Sequence, residues 1–83
     1  MGEAGPEDVM PQYFFHTTNG AQHRDEDGLH LRDVDAAQRE AVRYSGSLLV
    51  DDPDTALREH GIRIDLVDDS GETRLTVRVI IEN

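Results

Sequence analysis

Three histidines, His16, His23 and His30, recur at intervals of seven, and the acids Asp25, Glu26 and Asp27 lie between the last two. Imidazole and carboxylate are the ligands zinc takes when no thiolate is present. A spacing of seven has no fixed geometry on extended chain, however, and His23 and His30 flank a turn. Ordinary surface histidines are therefore the expectation, and no metal ligand is assigned. Asp25-Glu26-Asp27-Gly28 offers oxygen ligands but falls short of an EF-hand loop, which needs about twelve residues closing on a glutamate. It reads as an acidic, solvated turn. Ser45, Ser47 and Ser70 lack the G-x-S-x-G setting of a nucleophile elbow, and no glycine-rich phosphate loop occurs. His16 and Asp65 could meet across a sheet, but two residues are not a mechanism. The sequence thus predicts no catalytic residue, no cofactor and no metal, and the chain is not expected to be an enzyme.

Composition narrows the partners. The chain has 83 residues, with 18 acids against 8 arginines and no lysine, for a net charge of −10. That balance opposes a phosphate backbone, because nucleic-acid affinity grows with the phosphates that Lys and Arg neutralise; no nucleic-acid partner is expected. Cysteine is absent, which removes disulfides and thiol chemistry together. No apolar run approaches the roughly 20 residues of a membrane span, and MGEAGPEDVM lacks the basic-then-apolar order of a signal peptide. A cytoplasmic protein without a membrane partner is the expectation. Leu, Ile, Val and Phe number 20 of 83, above the fraction of about 20% below which charged chains stay disordered. The chain should fold around a thin core, since a domain of this size buries only about 60–65% of its unfolded surface.

The elements follow from periodicity. Residues 1–9, with Gly2, Gly5, Pro6 and three acids, read as a disordered acidic tail, and residues 10–83 as a single domain. Met10 could serve as an alternative translation start. Tyr13–Thr18 is aromatic and β-branched, as strands prefer. Asn19-Gly20 then signals a type I′ hairpin turn, with a return strand broken at Asp25–Gly28 and resuming at Leu29–Leu31. Asp33 is a good N-cap, and Val34, Ala37, Ala41, Tyr44/Ser45 and Leu48 form a helical stripe. Gly46 weakens the second half of that helix, which should end near Val50 ahead of Pro53. A short second helix over Asp54–His60 would be capped by Asp54 and stopped by Gly61. Ile62–Val67 and Thr73–Ile81 alternate with period two around the turn cluster Asp68–Gly71. The expected fold is a two-layer α+β domain, β-β-α-β-β, with one main helix on an antiparallel sheet.

Met10-Pro11-Gln12-Tyr13-Phe14-Phe15-His16, Asn19-Gly20, Asp25-x-Asp27-Gly28-x-x-Leu31-x-Asp33, Ala36-Ala37-x-x-Glu40-Ala41 and Asp68-x-x-Gly71 together resemble a small bacterial domain of unknown function. The resemblance spans about residues 10–81 and implies a fold, not an activity. In that family the M-P-x-Y-F-F-H motif opens the protein, which implies that residues 1–9 are an extension. A looser pattern, an acidic D-x-D-G turn followed by a D-x-x-x-A-x-x-x-A helix, is similar to the antitoxin subunit of toxin–antitoxin pairs. The separate DNA-binding segment usual in that family is not visible.

The surface that remains is the open sheet face. If Tyr13, Phe15 and Thr17 point to the helix, then Phe14, His16 and Thr18 point away, and Arg63, Asp65, Thr76, Arg78 and Ile80 share their side. An aromatic beside arginines suits an interface, whereas cross-strand Arg–Asp pairs would make the same face merely polar. Phe14, His16, Arg63 and Arg78 are the candidate interaction residues of a noncatalytic, regulatory module with a protein partner; an antitoxin-like regulator is the alternative, and a small metal-dependent enzyme a more distant one. Edge strands pair unless blunted, so a weak homodimer through the 73–81 strand, or through the face carrying Phe14 and Arg78, is a further expectation.

Overall fold

The structure, a computed structural model, describes residues 10–83; the expected tail over residues 1–9 lies outside them. The elements are β1 (Gln12–Thr18), β2 (Gln22–His23), β3 (Leu29–His30), α1 (Val34–Asp51), α2 (Pro53–Arg58), β4 (Gly61–Asp68) and β5 (Thr73–Ile80). They form one antiparallel sheet in the order β2-β1-β4-β5, with β3 also pairing β1. This is the expected α+β fold, with strand-strand-helix-strand-strand order. None of its helices is long and apolar enough to cross a membrane, among the described residues.

Alternation sets the faces. Tyr13, Phe15 and Thr17 of β1 and Ile62, Ile64 and Leu66 of β4 are buried. Tyr13, Phe15, Ile64 and Leu66 form one core cluster with Ala37 and Ala41 of α1. Small residues on the helix let its backbone approach the sheet. Asp33 caps α1 as expected, its carboxylate accepting from the Ala36 N–H at 2.9 Å. At the shared fourth turn of the stripe, Ser45 takes the buried place, because its hydroxyl donates back to the Ala41 carbonyl at 2.8 Å. Tyr44 turns outward and stays 38% exposed. Gly46 does not interrupt α1, which runs through it to Asp51.

Three local expectations are corrected. The β1–β2 turn is not type I′. Thr18 pairs with Gln22, leaving a three-residue loop in which Gly20 has φ +94° and Asn19 is not at positive φ; a type I′ turn needs both. Asp54 does not cap α2. Pro53 occupies its first turn, where a missing N–H costs nothing, so the cap falls one residue earlier. Asp52 accepts from the Thr55 N–H at 3.2 Å and from its hydroxyl at 2.6 Å. Gly61 does not form the left-handed stop. His60 takes that conformation at φ 61°, while Gly61 opens β4 at φ +133°, where a Cβ would lie 1.8 Å from the Val79 carbonyl oxygen.

Candidate functional site

One hydrogen bond fixes the phase of the sheet. The Ile81 N–H donates to the His60 carbonyl at 3.0 Å. With the register Ile62↔Val79 and Ile64↔Val77, these become the hydrogen-bonded pairs, and Arg63↔Arg78 and Asp65↔Thr76 the closer, non-bonded ones. On β1 the same alternation directs Phe14, His16 and Thr18 toward β4, and turns the backbone groups of Tyr13, Phe15 and Thr17 toward β2 and β3.

The Phe15 N–H meets no strand there, because β2 ends at His23 and β3 begins at Leu29. The Asp25 side chain takes the place of the absent strand. Its carboxylate accepts from the N–H groups of Phe15 at 3.1 Å, Asp27 at 3.2 Å and Gly28 at 3.1 Å. Its own N–H donates to His16 Nδ1 at 3.0 Å. Partial burial pushes the Asp25 carboxyl up, but the Gly28, Phe15 and Asp27 donors, with His16 beside it, outweigh that and hold it below its ordinary 3.8. Gly28 sits at φ +72°, so close above β1 that a Cβ would stand 2.8 Å from the Phe14 ring.

The β4–β5 turn uses the same device. Asp68 accepts from the Ser70 hydroxyl at 2.6 Å and from the N–H groups of Ser70 and Glu72, each at 3.0 Å, while Arg74 reaches its other oxygen at 3.1 Å. Led by the Ser70 hydroxyl, these donors lower the Asp68 carboxyl to about 2. Gly71 supplies the positive φ of +90°. Asp25-x-x-Gly28 and Asp68-x-x-Gly71 are thus two copies of one solution, and both lie at the same end of the outer face.

Between them is a groove of about 370 Å³ lined by Phe14, His16, Asp25, Glu26, Val67 and Asp69, among others. Phe14 pairs with Val67 across the strands and its ring stacks on His16, centroids 6.5 Å apart and planes 19° off parallel. The groove therefore has an aromatic floor and walls that are mainly acidic, with Arg24 among them. A second hollow, of about 330 Å³, opens on the helix side where the broken strand leaves Phe15 and Thr17 near Tyr44 and Glu40.

The four candidate residues share the outer face but divide into two ends. Phe14 and His16, half-buried, belong to the groove. Arg63 and Arg78 stand directly opposite each other in a close pair. Arg63 Nε donates to Asp65 Oδ1 at 3.1 Å, and the Thr76 hydroxyl to the same oxygen at 2.7 Å. Arg78 forms no ion pair among the described residues. Asp65 is the register partner of His16, yet its carboxylate is engaged by Arg63 and Thr76 and the imidazole by Asp25. His30 pairs opposite Gln12 and His23 opposite Thr17. These positions put His23 on the helix side and His16 and His30 on the outer side. Among the described residues no three His, Asp or Glu side chains gather as a metal site. Sequence reasoning missed Asp25, Gly28 and the groove; the signal available was the repeat of D-x-x-G, each copy following or ending a strand.

The chain belongs to a family of domains of unknown function, DUF6894, whose family model matches residues 12–80. The sequence resemblance to a domain of unknown function is thereby borne out. No curated protein matches the chain, and no solved structure does.

Proposed function

We propose that this chain is a noncatalytic cytoplasmic module that acts by binding a partner protein on the outer face of its sheet. The observation that carries this reading is the groove over Phe14 and His16. An aromatic floor between acidic walls favours a cationic side chain, by cation–π attraction and charge together. At the other end of the face Arg78 offers a positive charge. The arrangement fits an extended segment with a basic residue toward Phe14 and an acidic one toward Arg78. The titratable groups beside the groove support a binding rather than a catalytic role: Asp25, Asp68, Asp65 and His16 hold turns and strands together through the bonds given above. A net charge of −10 favours a basic protein segment over nucleic acid or an anionic membrane.

The test is affinity capture from native cell extract with three forms of the chain. Asp69 is exposed and lines the groove, so Asp69→Lys reverses one wall. Phe14→Ser removes the floor, with melting curves run to confirm folding. A protein captured by the wild type and lost with both variants is the expected result. Identical captures by all three forms would refute the groove as the binding surface.

A further inference from the structure

The two edges of the sheet differ. At one, β2 and β3 are two residues each and are separated by the Asp25–Gly28 loop, so the edge is short and broken. At the other, β5 runs eight residues with no proline, and the register shift of its ladder lies at Leu66/Val67, before the stretch from Leu75 to Ile80. The phase established above turns the N–H and C=O groups of Thr76, Arg78 and Ile80 away from β4. The side chains of the same three residues are exposed on the outer face, and Ile80 is 65% exposed. Among the described residues this is a regular, unpaired edge.

Its occupant can be argued from charge. If a second copy of β5 pairs antiparallel, the open backbone groups require even-numbered residues to oppose even-numbered ones. Centring the pair on Arg78 opposes Arg78 to Arg78, and centring it on Thr76 opposes Arg74 to Arg78. Centring it on Val77 sets Arg78 diagonally beside Arg74 and Arg78 of the second copy and opposes Glu72 to Glu82. Like charges so placed are destabilising. Sliding the pair toward the C-terminal end, centred at Ile80, removes these conflicts and sets Arg78 of each copy directly opposite Glu82 of the other. The same slide sets the half-buried Val79 opposite Ile81 of the second copy and covers Ile80.

We propose that this chain forms a homodimer by antiparallel pairing of β5 with β5 of a second copy, centred at Ile80, with Arg78 of each chain meeting Glu82 of the other. The contact joins two sheets edge to edge and takes up Arg78, while the groove over Phe14 stays open, so capture through Phe14 and Asp69 is measured apart from it. The overall charge does not prevent it, since at about 0.15 M salt charges beyond roughly 8 Å are screened.

Sedimentation equilibrium of the full chain at tens of micromolar and physiological salt tests the pairing. The wild type should show a dimer. Glu82→Arg and Arg78→Glu, each placing two like-charged contacts in the dimer, should each weaken association about tenfold. The double variant Arg78→Glu/Glu82→Arg should restore it, with melting temperatures showing that all forms fold. A monomeric wild type would overturn the proposal, as would single variants that dimerise unchanged or a double variant that remains monomeric. None of these results bears on capture through the groove, which is measured separately.

Discussion

Replacing Asp25 should cost more than its place in a surface loop suggests. The carboxylate accepts three backbone N–H groups, and the one from Phe15 is part-buried at the broken edge of β1. In Asp25→Ala that N–H loses its acceptor, which costs about 1–3 kcal/mol. The Asp27 and Gly28 N–H groups can turn to water, so their loss adds only about 0.5–1.5 kcal/mol together. The total is about 2–4 kcal/mol, a large share of the 5–15 kcal/mol typical of a domain, and at roughly 4–8 °C per kcal/mol the midpoint should fall by at least about 8 °C. Asp25→Asn keeps one acceptor oxygen but turns an amide NH₂ toward the other donors; about 1–2 kcal/mol is expected. The pH dependence has a defined sign. The folded carboxyl lies below its ordinary 3.8, so its contribution is complete above about pH 4 and is lost as pH falls through the lowered folded value. The gap between wild type and Asp25→Asn should therefore be full near neutrality and shrink in acid. The contribution of Asp68, present in both forms, cancels in the difference. Thermal melts followed by circular dichroism at neutral and acid pH measure this. Equal midpoints for wild type and Asp25→Ala, or an Asn gap that does not change with acid, would refute the account of this residue.

Three further substitutions test the frame around the site. Gly46→Ala should stabilise α1 by up to about 1 kcal/mol, because nothing stands within 4 Å of the added Cβ; a lower melting midpoint would contradict this. Gly61→Ala should destabilise by several kcal/mol, on the order of 3 or more, since its Cβ would overlap the Val79 carbonyl; denaturant titration should give a clearly lower midpoint, and an unchanged one would show that the strand start is misplaced. Ala41→Asp would bury an unpaired charge at about 3–5 kcal/mol, whereas Arg39→Asp on the exposed face should cost under about 1 kcal/mol; equal losses in the same titration would mean that α1 presents a different face to the sheet.

What was legible in the sequence was periodic. Period-two alternation in β4 and β5 and the three-four spacing of Ala37 and Ala41 report burial directly, whereas the aromatic run of β1 marks a strand and leaves its parity to the register with β4. The misses fall where one backbone atom decides. Whether Asn19-Gly20 closes a two- or three-residue loop depends on the register set by Thr18 and Gln22, a pairing between strands rather than a local preference. Pro53 moved the α2 cap to Asp52 because the absent N–H belongs inside the helix. Gly61 reads as a helix stop in sequence, yet its requirement comes from the carbonyl of Val79 on another strand. The candidate face followed from strand parity, but its division into an aromatic-acidic end and an arginine end did not. That division depends on strand order, which placed β1 and β4 side by side and set the two D-x-x-G turns on either flank of Phe14.

The acidity of the chain acquires a different meaning once the carboxylates are placed. Asp25, Asp33, Asp52 and Asp68 each accept from backbone N–H groups two to four residues ahead, and each does so where a strand breaks, a helix starts or a hairpin turns. Seven elements within 74 described residues give many ends, and each end leaves N–H groups in need of an acceptor. Aspartate is the residue that supplies one locally. Part of the net charge is thus a consequence of satisfying these element ends, and those carboxylates face inward to their own loops. Asp65 is held in the same way by Arg63 and Thr76. The charge available to a partner on the outer face is the smaller remainder at its ends, with Glu26 and Asp69 beside Phe14 and Arg78 beside Ile80. A composition of −10 would suggest a uniformly repulsive surface for an acidic partner and for a second copy alike. The placed charges instead gather acids around Phe14 at one end of the outer face and the Arg63–Arg78 pair at the other.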